Sequence, residues 1–261
     1  MTTTDLADRF SGVITAASVG ELQTDCTLGG TLTLFEQGRI SCSYAPFEHI
    51  NQDAKIVLVG ITPGRRQAMD ALVALRKSLL EGKSMPSALS VAKATASFAG
   101  AMRSNLSRMF DHVRLNQHLG LNSCSELFTT GAQLVHYTSA LRNPVFVDGA
   151  NYSGQPKISA TPVLAKVVRD SFFQEARALH GALWVPLGGA AELALQMAVS
   201  ESLIPAQGVL SGFPHASGAN AERISYFIGG KAREALSNKT NPDLIDARKK
   251  LLLATLSSYR P

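Results

Sequence analysis

Four polar residues stand close together in the stretch "PHASGANAER": His215, Ser217, Asn220 and Arg223. A histidine that donates a hydrogen bond can stabilise an oxygen that gains charge while a bond breaks. Ser217, the backbone N–H groups around Gly218, and Asn220 with Arg223 at the start of a helix are candidates for gripping a phosphate. A lone histidine is more often structural or simply exposed, but the surrounding glycine and serine point to a ligand. The second such stretch is "KIVLVGITPG", Lys55 to Gly64. Its apolar run ends in Gly60, Ile61, Thr62, Pro63 and Gly64. Glycines there let backbone approach a ligand closely, and the helix that follows supplies N–H groups. Thr62 is a candidate to hold a water or to donate to a carbonyl. A tight strand-to-helix turn without any ligand accounts for the same residues. The turn lacks the Gly-Lys-Ser/Thr ending of a triphosphate loop and is not GxGxxG, so neither a Walker loop nor a dinucleotide site is supported.

These stretches need elements to position them. "TLTLF" and "RISCSY", with Gly38 between, predict a short hairpin. "KIVLVG" predicts a central strand that is apolar on both faces. Ala68, Leu72, Leu75 and Leu79 predict a helix from Arg65 to about Leu80. A second helical region follows, broken near Ser97 to Gly100, with Arg103, Arg108 and Arg114 as a candidate basic face. "LNSCSELFTTG" predicts a strand running into a loop. The stretch from Val135 to Ile158 reads as a long irregular loop, punctuated by Pro144, Gly149, Gly154 and Pro156, and loops of that length are uncommon unless they bind something. Thr161 and Pro162 open the next helix. "ALWVPLG" predicts a strand, "GAAELALQMAVS" a helix, "GVLSGFPHASGAN" a fourth strand ending in a loop, and two helices close the chain. Strands near 56–59, 124–128, 183–187 and 208–211 thus alternate with helices. The predicted fold is α/β: a three-layer α/β/α sandwich around a central, mostly parallel four-stranded sheet. Residues 1–44 are expected to form an N-terminal extension packed on a main domain of residues 45–261. Ligands of such sheets bind beyond the carboxyl ends of the strands.

The composition narrows the classes. With 261 residues, 45% of them hydrophobic, the chain is long enough for one sizeable core. Its 25 Lys and Arg against 20 Asp and Glu leave a net charge of +5, which suits a polyanionic partner without requiring one. No apolar run approaches twenty residues, so no membrane span is expected. "MTTTDLADRF" does not read as a signal peptide. Cys26, Cys42 and Cys124 are too scattered for a disulfide framework or a cysteine metal site, and the six histidines form no HExxH pair. The expectation is a cytoplasmic monomer with no metal and no cofactor.

With these residues in order, the chain resembles the uracil-DNA glycosylase superfamily. "VGITPG" is similar to that family's first motif, Gly-x-Asn-Pro-Gly or Gly-x-Asp-Pro-Tyr. "HASGAN" is similar to its second, His-Pro-Ser-x-x-x. "LNSCSELF" falls where the family's strand carries a base-reading Asn, and "LWVPLGGAAELAL" resembles its third strand and helix. The resemblance covers about residues 45 to 235. It implies a base flipped out of DNA and hydrolysis of its N-glycosidic bond. By that carry-over Gly60, Ile61, Pro63 and Gly64 line the pocket, and Thr62 takes the water-activating position. Asn122 reads the base, with Ser123 or Ser125 as alternatives. His215 stabilises the departing base, and Ser217, Gly218, Asn220 and Arg223 contact DNA phosphate.

Three departures bear on the chemistry. Thr62 stands where the family has Asp, Asn or Glu, and a neutral hydroxyl is a poor general base. Glu48, Asp53 and Asp148 are the candidate substitutes, with Asp148 preferred because its loop "FVDGANYSG" is expected near the crevice. No aromatic follows the first motif in "MDALVALRKSLL", leaving Tyr152 or Phe146 to stack on a base. Ala216 replaces the usual Pro of the second motif. The leading expectation is therefore a DNA glycosylase acting on a non-standard or modified base, in repair or in antiviral defence. The alternatives are a catalytically silent nucleic-acid-binding protein with a glycosylase-like fold, or an unrelated nucleotide-binding α/β enzyme.

Overall fold

The computed structural model describes residues 3–98 and 100–259. The chain divides into two compact units that interleave along the sequence. The first comprises residues 1–50, 60–97 and 137–175; the second comprises 51–59, 98–136 and 176–261.

The first unit holds helices α1 (Thr3–Ala16), α2 (Val19–Thr24), α3 (Arg65–Leu80) and α4 (Met85–Ala96). It also holds an antiparallel sheet of β1 (Thr33–Gln37), β2 (Ile40–Ser43), β5 (Val145–Val147) and β6 (Ala150–Asn151), in the order β1-β2-β5-β6. Asp148 and Gly149 make the two-residue turn between β5 and β6, with φ of 50° and 76°. Asp-Gly is the pair that tolerates two positive φ values in succession, and such a turn matches the twist of the paired strands. The apolar stripe of α3, at Ala68, Leu72 and Leu75, closes on Ala88, Leu89 and Ala92 of α4 and on Phe10, Ile14 and Leu22 of α1 and α2. Tyr44 and Phe146 complete that core, Tyr44 stacking on Phe10 at 4.9 Å between ring centroids.

The second sheet has the order β4-β3-β7, from β4 (Val135–Ser139), β3 (Ile56–Gly60) and β7 (Leu183–Pro186). β3 and β7 run parallel, in the register Ile56↔Leu183 to Val59↔Pro186. Parallel strands covered on both faces need continuous apolar runs, which "IVLV" and "LWVP" supply. The second unit carries α5 (Ala101–His112), α6 (Leu115–His118), α9 (Gly189–Ser200), α10 (Ala221–Phe227) and α11 (Pro242–Ser258). α7 (Pro162–Val167) lies in the first unit, and α8 (Phe173–Ala178) follows it after the π-helical turn Val168–Phe172. No helix among the described residues is long and apolar enough to cross a membrane.

The expected single, mostly parallel four-stranded sheet of a three-layer sandwich is therefore corrected to two sheets, one antiparallel and one parallel. Two local causes account for the difference. Residues 124–128 form a 3-10 helix rather than a strand. Ser123 caps it by accepting from Ser125 N, Glu126 reaches back to Ser123 N, and Asp111 accepts from Cys124 N at 2.6 Å. A Ser-x-x-Glu capping box is a helix-start signal that outweighs the local apolar character. The strand that takes its place, β4, lies within the stretch read as a loop, and so do β5 and β6. The expected fourth strand near 208–211 is reduced to a single parallel bridge, Trp184↔Val209, with Leu210 N donating to Trp184 O. The 3-10 turn Ala206–Gly208 before it, and Gly212 and Pro214 after it, leave little room for a ladder.

Candidate functional site

The Gly60–Gly64 turn belongs to the first unit and is tied down on every side. Ala140 N donates to Gly60 O and Leu141 N to Ile61 O, both at 2.9 Å. The Thr62 hydroxyl is buried, donates to Asn143 O at 3.0 Å and accepts from Val145 N at 3.1 Å. Pro63 is buried, whereas Gly60, Ile61 and Gly64 are half-buried. At the start of α3, Gly64 N donates to Gln67 Oε1 and Arg65 N to Asn151 Oδ1. Two amides that a helix start would offer an anion are thus already engaged by side chains. Thr62→Val removes a donor and an acceptor from two buried backbone groups, and the expected cost is about 1–3 kcal/mol. Thr62→Ser keeps the hydroxyl and is expected to unfold in urea close to the parent, a comparison that chemical denaturation reads directly.

The other residues singled out in this unit are placed as follows. Tyr152 is buried, and its hydroxyl donates to Pro156 O at 2.6 Å. Phe146 is buried beneath the Arg65 guanidinium, 4.6 Å above its ring. Asp148 sits exposed at the β5–β6 turn and pairs with Arg39, which holds its carboxyl below the ordinary range.

A buried charged cluster lies in the same unit. Glu175 is fully buried, and Arg142, 5% exposed, donates to it through Nε at 2.7 Å. Arg142 Nη2 donates to Ser171 O at 3.1 Å, a carbonyl in the π-helical turn. π turns loosen the local helical ladder and often sit at functional sites. Lys93 is 3% exposed, donates to His49 O at 2.7 Å and stands 3.9 Å from Glu175 Oε2. Glu48, 5% exposed, has no hydrogen-bond partner at either carboxylate oxygen, and neither has the hydroxyl of the fully buried Tyr44. Burial pushes the Glu48 carboxyl up to about 7 and the Lys93 ammonium down to about 8. Glu48 was among the carboxylates singled out in the sequence; Lys93, Arg142 and Glu175 were not. Their signal was present: Lys93 lies on the apolar stripe Leu89-Ala92-Ala96, and Glu175 on Phe172-Ala176-Leu179. A charge on such a stripe is buried and must find a partner.

This cluster makes stability depend on pH. The folded state raises Glu48 from 4.5 to about 7 and so favours its protonated form. Its contribution is full below the unfolded value and is lost as pH rises through about 7, a change on the order of 3 kcal/mol. Glu48→Gln is therefore expected to match the parent near pH 5 and to exceed its stability by about 2–3 kcal/mol at pH 8, as read by urea unfolding at the two pH values.

His215 lies in the second unit, on the loop that follows the Trp184↔Val209 bridge. Gly212, with φ of 123°, lets this loop run against α11: a Cβ there would meet Arg248 O at 2.8 Å. Phe213 next to it packs on Phe110 and Phe227. Asn105 of α5 donates to Ala216 O at 2.9 Å. The loop is thus anchored on both sides of the imidazole. His215 Nδ1 accepts from Ser217 N at 3.2 Å, which puts the ring proton of the neutral form on Nε2. His215 is exposed, and desolvation of its ring lowers its pKa, which favours the neutral form. The Cδ2 edge faces the Gly188 turn at the start of α9, 3.5 Å from where a Cβ on Gly188 would lie.

The residues expected to hold phosphate form a chain beside it. Asn220 Nδ2 donates to Ser217 Oγ at 3.0 Å, and Arg223 Nη1 to Asn220 Oδ1 at 2.8 Å. Arg223 Nη2 donates to Lys239 O, and Gly218 is exposed in the 3-10 turn Gly218–Asn220. Asn122 belongs to the capped turn before residues 124–128, its N–H donating to Glu126 Oε1 at 2.9 Å. Arg108 and Arg114 are exposed, while Arg103 lies over the Phe128 ring. No group of three or more His, Cys, Asp or Glu able to hold a metal ion occurs among the described residues.

Among curated proteins, the chain is similar to "Uncharacterized protein YoxB" of Bacillus subtilis (strain 168), with 34% identity over 216 residues, 82% of this chain and 84% of that protein. No protein-family model matches the chain, and no solved structure matches it.

Proposed function

The chain belongs to the family of Bacillus subtilis YoxB, and within that family we propose that it is a DNA glycosylase, hydrolysing the N-glycosidic bond of a non-standard or modified base flipped from DNA. The observation that carries this reading is the state of His215. Its Nδ1 is occupied as an acceptor by Ser217 N, its pKa is lowered, and Nε2 remains as a neutral donor on an anchored loop. A neutral imidazole donor suits a base that leaves with the bonding electron pair. It stabilises the negative charge gathering on that base without first having to lose a proton. The Ser217-Asn220-Arg223 chain offers hydroxyl, amide and guanidinium groups beside it, the donor types that hold phosphate. The net charge of +5 and the exposed Arg108 and Arg114 suit a DNA partner and imply salt-dependent binding. The same reading makes the protein a cytoplasmic monomer that needs no cofactor.

A second reading, a silent DNA-binding protein with a glycosylase-like site, draws on Thr62. Its hydroxyl is committed to Asn143 O and Val145 N and is neutral. The experiment that separates the two is detection of free base by mass spectrometry. The full chain is incubated with DNAs carrying ordinary, deaminated, alkylated, hydroxymethylated and glucosylated bases. Release of one species supports hydrolysis; DNA binding without release from any of them selects the silent reading.

A further inference from the structure

A cleft of about 550 Å³ opens within the first unit, lined from α1, β1, β2, the loop after β4 and residues 166–174. That volume is in the range of sites for small molecules. Leu6, Leu34, Phe35 and Val167 give it an apolar wall. Lys166 and Asp170 also line it, exposed and paired with each other, so their charges offset. Two nearly buried side chains line the same cleft with donors to spare. Arg142, 5% exposed, spends Nε on Glu175 and Nη2 on Ser171 O, which leaves Nη1. Asn143, 9% exposed, spends Oδ1 on Ala45 N, which leaves Nδ2. Neither remaining donor has a hydrogen-bond partner among the described residues. Buried polar groups are nearly always paired, so these two call for an acceptor from outside the chain. The charge behind them has the matching sign. Arg142 and Lys93 share one carboxylate, Glu175, and burial pushes the neighbouring Glu48 towards its neutral form. While Glu48 is protonated, the cluster holds one cation more than its carboxylates balance. An anion on the guanidinium offsets that charge and completes its hydrogen bonds.

We propose that this cleft is a binding site for a small organic carboxylate with an aliphatic body, its head held by Arg142 Nη1 and Asn143 Nδ2 and its body laid on the wall of Leu6, Leu34, Phe35 and Val167. The planar guanidinium suits a carboxylate head. The apolar wall distinguishes such a ligand from a bare inorganic anion, which leaves that surface uncovered. The cleft lies wholly within the first unit, and its use does not require base release.

The test is isothermal titration calorimetry of the full chain with acetate, butanoate, hexanoate, hexanamide and inorganic phosphate, at constant ionic strength and about pH 6.5, where Glu48 is mostly protonated. Hexanoate is expected to bind with a Kd below about 1 mM. Affinity is expected to rise about three- to fourfold for each CH₂ added along the carboxylate series. Hexanamide, without the charge, is expected to bind at least about tenfold more weakly than hexanoate. Asn143→Asp keeps the acceptor for Ala45 N but replaces the spare donor with a negative oxygen, and is expected to weaken hexanoate about tenfold or more. Gln174→Glu, an exposed change in the lining that leaves the core untouched, is expected to weaken it about threefold. Far-ultraviolet circular dichroism checks that each variant is folded. No saturable binding of hexanoate up to about 20 mM would overturn the inference, since water then suffices for the spare donors. Equal affinity for hexanamide, or tighter binding of phosphate than of hexanoate, would overturn it as well. So would parent-like affinity in both variants, which would place the bound hexanoate elsewhere.

Discussion

Replacing His215 with alanine is expected to lower the rate of base release by about 10²–10³-fold, the loss typical when a donor to developing negative charge is removed. The fold is expected to survive. The loop is held by Asn105 to Ala216 O, by the passage of Gly212 against α11 and by the packing of Phe213, none of which uses the imidazole. The contact given up is the Ser217 N–H to Nδ1, at an exposed position where water replaces it. The stability change is therefore expected to stay within about 1 kcal/mol. Single-turnover release measured beside circular dichroism melting checks both parts. A rate loss that merely tracks unfolding would assign the ring to structure, and an unchanged rate would remove it from the reaction.

Arg142→Met is expected to be the most destabilising single change in the first unit, by about 3–5 kcal/mol. It leaves Glu175 fully buried without its hydrogen-bonded cation and strips the Ser171 carbonyl of a donor. Lys93 remains ion-paired with that carboxylate at 3.9 Å. Part of the penalty comes from the buried carboxylate losing its guanidinium, so the double variant Arg142→Met, Glu175→Gln should recover some of it. Urea unfolding followed by far-ultraviolet circular dichroism reads the single and double variants on one scale. Equal losses in the two would place the cost in Arg142 packing instead.

The legible parts of this fold are those in which local and tertiary preferences agree. "TLTLF" and "RISCSY" with Gly38 between them appear as β1 and β2, and the apolar runs before Gly60 and Gly188 as β3 and β7. The Arg65–Leu80 helix begins and ends where its stripe and Gly82 indicate. Errors arose where two signals competed. In "LNSCSELF" the capping box of Ser123 and Glu126, aided by Asp111, prevails over apolar content. In "VHYTS" the β-branched and aromatic run of β4 was obscured by the Pro and Gly that follow it. The partnership of β2 with β5 is non-local, and nothing in either segment specifies it; only the Asp148-Gly149 turn announces that a hairpin is there. Around the candidate site, the spacing of His215, Ser217, Asn220 and Arg223 was readable because one turn and one helix start hold all four. The Glu48 environment was not, because its charged neighbours come from α4 and from the loop after β4, and no pattern in the chain brings them together.

The central claim is cleavage of the bond between sugar and base, and one measurement addresses it most directly. A duplex carrying a single copy of the base that is released best is incubated with excess protein, and free base and alkali-labile abasic sites are counted in the same sample. The expected result is equal amounts of the two, growing together with time. DNA that is bound yet yields neither product would contradict the claim.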